Sequence, residues 1–328
     1  MSESGSYSPL DAEIEMAFRA LAPDSPFFAI VGLTPDGIAR VREGAKMGRP
    51  SDDSLRRGGR VEFEEVLIPG PLGAPDIELL VLRPAVGVGP FPCVYFIHGS
   101  GMVVGESNRL GIDEALNWVE EFGTVVVSVD YRVAPENPHP APVEDCYAGL
   151  VWTSENADKL SIDPDRILIA GISGGSGLAA GTALLSRDRH GPSLTHQVLI
   201  CPMLDDRELN VSSKFDGVIW DRVSNQTGWS ALLGDARNGA DVRPYAAPSR
   251  EQDLSGLPST YLDAGSSEVF RDEVIDYATR IAQTGTAVEL HIWSGAMHAS
   301  ELLAPQAEAT KAAIAARTSF MRRALASH

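Results

Sequence analysis

The chain has 328 residues, of which 44% are hydrophobic and 22% are charged, as in an ordinary globular protein. A chain of this length buries about three quarters of its unfolded surface, so it folds without metal or disulfide, and its composition excludes coiled coil, collagen and disorder. Its 45 acidic and 27 basic residues give a formal charge of −18, which argues against nucleic acid and anionic membranes as partners.

The start of the chain and the cysteines predict a cytoplasmic protein. Residues 1–18 carry acids where a signal peptide has a basic and then an apolar stretch, and no run of about 18 apolar residues could span a membrane. Cys93, Cys146 and Cys201 cannot all pair, and none lies in a C-x-x-C motif. This cysteine usage favours a reducing compartment.

The first sixty residues are predicted to be helical and then polar. Helical patterns cover 12–22 and 37–44, and the second follows Thr34, a candidate cap, with Pro35 at the first helical position. Residues 51–60, SDDSLRRGGR, are polar and rich in glycine and predict a linker.

After residue 60, short β-branched runs alternate with helical patterns. The predicted strands cover 61–68, 77–83, 93–97, 124–129, 167–170, 197–200, 259–262 and 287–293. The predicted helices cover about 110–122, 142–157, 176–189, 269–283 and 302–325. The first two strands should form an antiparallel pair, because turn residues separate them. The later alternation predicts an α/β fold with a mostly parallel sheet.

One long stretch interrupts this alternation. Residues 205–256 contain no predicted strand, yet they include Trp220, Trp229 and Tyr245. A stretch of this length inside a compact domain usually carries function or structure of its own. We therefore expect residues 205–256 to be an inserted cap segment. With the N-terminal helices and linker (1–58), it would cover a catalytic core made of residues 59–204 and 257–328.

The strongest local motif lies in residues 166–185, RILIAGISGGSGLAAGTALL. A buried strand runs into Gly171-x-Ser173-x-Gly175 and a small-residue helix follows, which is the context of a nucleophile elbow. The alternative is a glycine loop that binds a dinucleotide phosphate. That fingerprint belongs to the first strand of its unit and requires an acidic residue about 20 positions later. We therefore interpret Ser173 as a nucleophile.

A second motif, YFIHGSGMVVG (95–105), ends a predicted strand in small residues. Backbone N–H groups of Gly99 and Ser100, together with that of Gly174, are candidate donors to an oxyanion. Taken alone, the motif fits an ordinary strand-exit turn equally well. Met102 and Val103 follow it, and with Trp220 they are the candidate substrate-pocket residues.

An acid and a base follow later strands. Glu268 opens a helix just after the predicted strand 259–262, where a carboxylate often only compensates the helix dipole. His298 follows the last strand. Ser173, Glu268 and His298 stand in the chain order of the α/β-hydrolase triad.

At these residues the chain resembles the hormone-sensitive-lipase-like family of α/β-hydrolases, which includes the bacterial family IV esterases. The resemblance spans about residues 60–310. HGSGMVVG matches the H-G-G-G motif, VDYRVAPENPHPAPVED (129–145) the Y-R-L-A-P-E stretch, and GISGGSGLAA the G-D-S-A-G-G-N-L-A motif. SSEVFRDE matches D-P-L-R-D-E and GAMH matches G-x-x-H.

The resemblance implies an α/β-hydrolase fold, with an eight-stranded sheet flanked by helices and a helical cap. It implies a serine carboxylesterase that cleaves short- to medium-chain esters through an acyl-enzyme, with a small-molecule ester as its partner and no cofactor or metal. Many members form homodimers, often through the last strand and helix, and the sequence leaves the oligomeric state open.

Four positions depart from the family pattern, and one of them is Ile172, which replaces the usual aspartate or threonine. Ser100 replaces a motif glycine, and we expect its side chain to line the pocket. Gly174 replaces an alanine after the nucleophile. Glu268 takes the place of the acid because it lies three residues before Arg271, as in D-P-L-R, while Asp263 is the alternative acid.

Two other functions are compatible with these residues. A lactonase or an aryl-amide hydrolase would use the same triad. A non-catalytic ligand-binding protein on this scaffold, like the plant hormone receptors that resemble the family, is less favoured. Those receptors have lost the base, whereas here Ser173, a carboxylate and His298 are all present.

Overall fold

The structure is a computed structural model that describes residues 8–22, 25, 28–105 and 107–326. Residues 1–7 lie outside the described residues, and with them part of the stretch on which the signal-peptide argument rests.

A single eight-stranded sheet forms the centre of the molecule. Its strands are β1 (Val61–Ile68), β2 (Ile77–Pro84), β3 (Phe91–Ile97), β4 (Val125–Val129), β5 (Ile162–Ile172), β6 (His196–Ile200), β7 (Ser259–Gly265) and β8 (Val288–Trp293). Their order is β1-β2-β4-β3-β5-β6-β7-β8. β2 is antiparallel to both neighbours, and all other pairs are parallel. The carboxyl ends of β3 and β5 to β8 therefore meet at one edge of the sheet.

The described residues form eleven α-helices. They are α1 (Ala12–Arg19), α2 (Ile38–Met47), α3 (Asp52–Arg56), α4 (Asp113–Phe122), α5 (Ala141–Glu155), α6 (Ala157–Leu160), α7 (Gly174–Asp188), α8 (Arg222–Leu233), α9 (Arg271–Gln283), α10 (Ser300–Leu303) and α11 (Glu308–Ala326). The predicted fold class is confirmed.

Helices cover both faces of the sheet, which explains its apolar strands. Successive side chains of a strand point to opposite faces. On β3, Cys93 and Tyr95 pack with residues of α5, α7 and α9, whereas Val94 and Phe96 pack with residues of α4 and α11. A strand covered on both faces is apolar at nearly every position, as β4 is.

The N-terminal helices pack against the segment 205–256. The backbone N–H of Leu33 donates to Ser224 Oγ (2.9 Å), and Thr227 Oγ1 donates to the carbonyl of Leu33 (2.7 Å). Ile14 of α1 is fully buried in a cluster that includes Val218 and Met297. Both segments therefore lie over the loop that carries His298.

The structure differs from the sequence expectation in three places. Residues 51–60 are not simply a linker, because Ser51 caps α3 and Leu55 of this helix is fully buried. Thr34 precedes a short 3₁₀ turn and its side chain caps nothing, so α2 begins only at Ile38. The predicted helix 302–325 is two helices, α10 and α11, separated at Pro305, which cannot donate a helical hydrogen bond.

In the part of the chain that the structure describes, no helix combines the length and the apolar character that crossing a bilayer requires.

Candidate active site

Ser173 lies in the sharp turn between β5 and α7. Its φ of 58° and ψ of −125° are unfavourable for a residue with a side chain. The Ser173 backbone N–H donates to the carbonyl of Ile200 (2.8 Å), which ties the turn to β6. A Cβ on Gly175 would lie 2.2 Å from the carbonyl oxygen of His98, so only glycine fits there. The predicted elbow is therefore present, with its hydroxyl at the start of α7.

A hydrogen-bonded chain connects three side chains at this edge of the sheet. Ser173 Oγ lies 2.9 Å from His298 Nε2, and His298 Nδ1 lies 2.9 Å from Glu268 Oε1. Glu268 Oε2 accepts the backbone N–H of Gly265 (2.8 Å). Phe270, which sequence reasoning did not identify, packs edge-on against the imidazole, with ring centroids 5.3 Å apart. This arrangement can take a proton from the hydroxyl and hold the imidazole in one tautomer.

The structure brings Glu268, and not Asp263, to the imidazole. Asp263 Oδ2 lies 2.9 Å from Arg317 Nη2 and accepts the hydroxyl of Tyr261 at 2.9 Å. Asp263 is therefore held by a different partner, although it is buried at the end of the same strand that leads to Glu268.

Two loops meet beside the Ser173 hydroxyl. A Cβ on Gly99 would lie 3.3 Å from Ser173 Cβ, and a Cβ on Gly174 would lie 2.9 Å from the backbone nitrogen of Gly101. The backbone N–H groups of Gly99, Ser100, Gly101 and Gly174 have no hydrogen-bond acceptor among the described residues. Sequence reasoning did not name Gly101, although it is the third small residue of the HGSG motif.

The Ser100 hydroxyl, expected to line the pocket, is bonded to Tyr131 and to its own loop. Its Oγ lies 2.7 Å from Tyr131 Oη and accepts the backbone N–H of Met102 at 3.0 Å. The Tyr131 hydroxyl in turn donates to the carbonyl of His98 (2.9 Å). The side chain of Ser100 therefore braces the loop, because a hydroxyl buried here needs these partners.

His98 is not a second base. Its ring stacks on Tyr131 with centroids 4.4 Å apart, and it is fully buried. Burial lowers the pKa of His98 to about 4, because the charged imidazolium would lose its hydration. The ring is therefore neutral at physiological pH.

The three predicted pocket residues are all buried. Met102 and Val103 have no exposed surface, and the Met102 methyl group lies 3.0 Å from the position of a Cβ on Gly177 of α7. Trp220 lies against the HGSG loop (98–101), since a Cβ on Gly101 would lie 1.8 Å from its ring. Among these three side chains, the one that packs onto Gly101 of this loop is that of Trp220.

Among the described residues, one group of side chains has atoms close enough to hold a metal ion. Cys201 contributes its sulfur and lies with the ligand atoms of Glu268 and His298 within 4.8 Å of one another. Hydrogen bonds already engage both ring nitrogens of His298 and both carboxylate oxygens of Glu268. The structure therefore shows these atoms bonded to protein partners within the site.

Sequence comparison identifies relatives of known class. Residues 94–302 match the family described as alpha/beta hydrolase fold. The carboxylesterase NlhH of Mycobacterium tuberculosis is 35% identical over 224 residues, which cover 66% of this chain and 69% of that protein. Esterase LipI of the same organism is 32% identical over 266 residues, which cover 78% and 79%.

Structural comparison agrees over nearly the whole chain. A bacterial heroin esterase is 36% identical and superposes with a TM-score of 0.87, covering 97% of this chain and 98% of its own. Esterase LipW from Mycobacterium marinum is 29% identical and has a TM-score of 0.85, with 98% and 99% covered. The chain therefore belongs to the α/β-hydrolase-fold family, in its hormone-sensitive-lipase-like branch of carboxylic ester hydrolases.

Proposed function

We propose that this chain hydrolyses esters of short to medium acyl chain length by two acyl transfers at Ser173. The hydrogen-bonded chain from Ser173 through His298 to Glu268 supports this proposal. His298 Nε2 accepts the hydroxyl proton while Oγ attacks the ester carbonyl, and the alcohol then leaves with that proton. Water repeats the sequence on the acyl-serine and releases the acid.

The oxyanion of each tetrahedral intermediate would be held by backbone N–H groups. Gly99, Ser100 and Gly174 are the proposed donors, and the position of Gly101 adds a fourth. Donors that are free of other acceptors can point at developing charge without first breaking a bond. Each such donor is worth about 3–4 kcal/mol in the transition state.

We also propose that residues 1–58 and 205–256 form the cap that limits substrate size over the catalytic core. Ser173 and His298 are each only 6% exposed, and Trp220 lies on the HGSG loop. A nearly covered nucleophile favours small acyl groups. In this proposal Met102, Val103 and Trp220 form the walls next to the ester.

The test is hydrolysis of p-nitrophenyl esters from acetate to palmitate. Wild type should act best on the short esters, and Ser173→Ala should lose about 10⁴-fold or more in kcat, because no nucleophile remains. Ser255→Ala, at an exposed loop position, is the matched control and should keep full activity. More than a few per cent of wild-type turnover in Ser173→Ala would contradict the proposal.

The same purified protein distinguishes the ester hydrolase from the lactonase, the aryl-amide hydrolase and the ligand-binding protein. A lactone and an aryl amide are assayed beside the esters, because all three classes would pass through the same acyl-serine. Faster turnover of either than of every ester would favour the lactonase or amidase alternative. Binding of small esters without turnover would favour the ligand-binding protein.

We further propose a homodimer that forms through the sheet edge. β8 pairs only with β7 among the described strands, and all six of its residues are partly exposed. Such an edge offers free backbone groups to a second copy. Light scattering should give about twice the chain mass of 35.0 kDa, and a mass equal to one chain would contradict the dimer.

We propose a cytoplasmic location. Cys93, Cys146 and Cys201 are all buried and unpaired, as is usual for proteins of a reducing compartment. Cell fractionation with an activity assay is the test, and activity recovered mainly outside the cytoplasm would contradict it.

A further inference from the structure

A second polar cluster lies behind the triad. Arg317 of α11 is only 3% exposed, and its Nη2 lies 2.9 Å from Asp263 Oδ2 and 2.9 Å from Glu301 Oε1. Its Nη1 lies 3.4 Å from Glu114 Oε1. One guanidinium therefore joins the ends of β7, α10 and α4.

This cluster is connected directly to the turn that carries His298. Glu301 follows His298 by three residues, and Ala299 between them has a φ of 59°. Ser300 Oγ accepts the backbone N–H of Met297 (3.0 Å) and donates to its carbonyl (2.6 Å), which closes the turn. Arg317 thus anchors the end of a short turn whose other end presents the imidazole.

The cluster also places negative charge near the imidazole. A small cavity lies between this cluster and Glu268, and its lining includes Cys201, Asp263, Glu268 and Glu301. Charges act strongly across such a gap, because its buried surroundings screen them less than bulk solvent does. Although burial raises it, the charge of Arg317 keeps the pKa of Glu301 below its ordinary value, so Glu301 is ionised.

We propose that Arg317 is a positioning residue for His298. It holds the turn through Glu301, and its single positive charge offsets part of the negative charge that Asp263 and Glu301 would otherwise add to that of Glu268 near the imidazole. This inference rests on the proposed function, in which neutral His298 is the base.

The sign of the expected effect follows from the groups around the imidazole and from the cluster behind it. Ser173, Glu268 and Phe270 contact the imidazole, and the sulfur of Cys201, the residue after β6, lies close to it. The cluster consists of Asp263 of β7, Glu301 of α10, Arg317 of α11 and Glu114 of α4, and Tyr261 of β7 bonds to Asp263. When the Arg317 charge is removed, the carboxylates that remain favour the imidazolium form of His298. As the pH falls, the base is then protonated, and activity is lost, at a higher pH than in wild type. Removal of the Glu301 charge has the opposite effect.

The experiment is the pH profile of kcat/KM for a p-nitrophenyl ester. The acid limb should move up by about half a pH unit or more in Arg317→Met and down by a similar amount in Glu301→Gln. Arg317→Lys keeps the positive charge but loses the planar guanidinium that bonds two carboxylates at once. The acid limb of the profile should therefore stay at the wild-type pH, while kcat falls and KM is unchanged. Arg322→Met, an exposed position on the same helix, is the matched control and should change nothing.

A triple variant separates charge from structure. Arg317→Met combined with Asp263→Asn and Glu301→Gln should return the limb towards that of wild type. Opposite shifts in the two single variants support the proposal, and unmoved limbs in folded Arg317→Met and Glu301→Gln overturn it. If Arg317→Met does not fold, Glu301→Gln decides, because Glu301 is 29% exposed and its substitution leaves no unpaired carboxylate.

Ser173→Ala is measured in parallel. If it is inactive while the limbs do not move, only the role of Arg317 is wrong. If it remains active, the triad itself is wrong.

Discussion

Ser173 illustrates at the residue scale how the position of the proposed nucleophile costs stability. Its backbone conformation is one that glycine adopts easily, and other residues adopt it at a cost of about 1–3 kcal/mol. Packing of α7 against β3 imposes this conformation, because Gly175 contacts the carbonyl of His98. The strained turn lowers the stability of the fold, and it places the Ser173 hydroxyl next to His298.

This cost predicts a stability difference between two inactive variants. Ser173→Gly should be more stable than Ser173→Ala by about 1 kcal/mol, after the larger unfolded-state entropy of glycine is allowed for. The free energy of unfolding in urea is the measurement. An alanine variant as stable as the glycine variant would show that the turn is not strained.

The choice of acid gives a second prediction at this scale. Glu268→Gln should lower kcat by about 10³-fold or more, because the amide no longer stabilises the imidazolium. Asp263→Asn should lower it by less than about tenfold, since Asp263 contacts Arg317 and not His298. Steady-state kinetics on one short ester checks both variants, and a larger loss in Asp263→Asn would reverse the assignment of the acid.

At the scale of elements, α1 connects the start of the chain to the active site. Its exposed face is charged, while Ile14 is buried among Val218, Ile219 and Met297. The backbone N–H of Asp11 also donates to the carbonyl of Gly295 (3.0 Å), close before His298. α1 therefore covers the loop that carries His298, mainly through the packing of the Ile14 side chain.

This packing predicts unequal effects of two substitutions on one helix. Ile14→Ala should lower the free energy of unfolding by about 2–4 kcal/mol, because it leaves a cavity under α1. Met16→Ala is the control, because Met16 is 71% exposed and the change should cost less than about 0.5 kcal/mol. Equal losses in urea unfolding would mean that α1 does not pack as described.

At the scale of the whole molecule, all three thiols lie inside the protein. Cys93 and Cys146 pack in the layer between the sheet and α5, and Cys201 directly follows β6, close to Glu268 and His298. Burial raises the pKa of each thiol, because the thiolate would lose its hydration. A thiol that stays protonated and covered reacts slowly.

We therefore expect no labelling of the native protein by a thiol-specific disulfide reagent at neutral pH. Three thiols should react after unfolding in urea, which provides the internal control. Rapid labelling of any thiol in the native state, with or without loss of activity, would contradict this description of the interior.

The fold was largely predictable because its signals are local. All eight strands were predicted from apolar runs, and their ends differ from the observed ends by only a few residues except in β5, which starts earlier. The linker prediction at 51–60 missed α3, because one buried side chain, Leu55, outweighs a polar composition once β1 is present to cover it. Polar helices of one turn depend on such contacts.

The sequence by itself determined the elbow that carries Ser173 and the order in which Ser173, Glu268 and His298 follow one another along the chain. Ser173 was identifiable because a strand, two glycines and a helix impose the elbow within a few residues. The spacing to Arg271 favoured Glu268, but only the tertiary structure shows that Asp263 is held by Arg317 instead of His298, where the Ser100 hydroxyl points and what packs over the loop of His298. Asp263 lies near the end of β7 and Glu268 shortly after it, and their partners differ, since Arg317 comes from a distant helix. A choice between neighbours is made by long-range contacts, which local patterns do not encode.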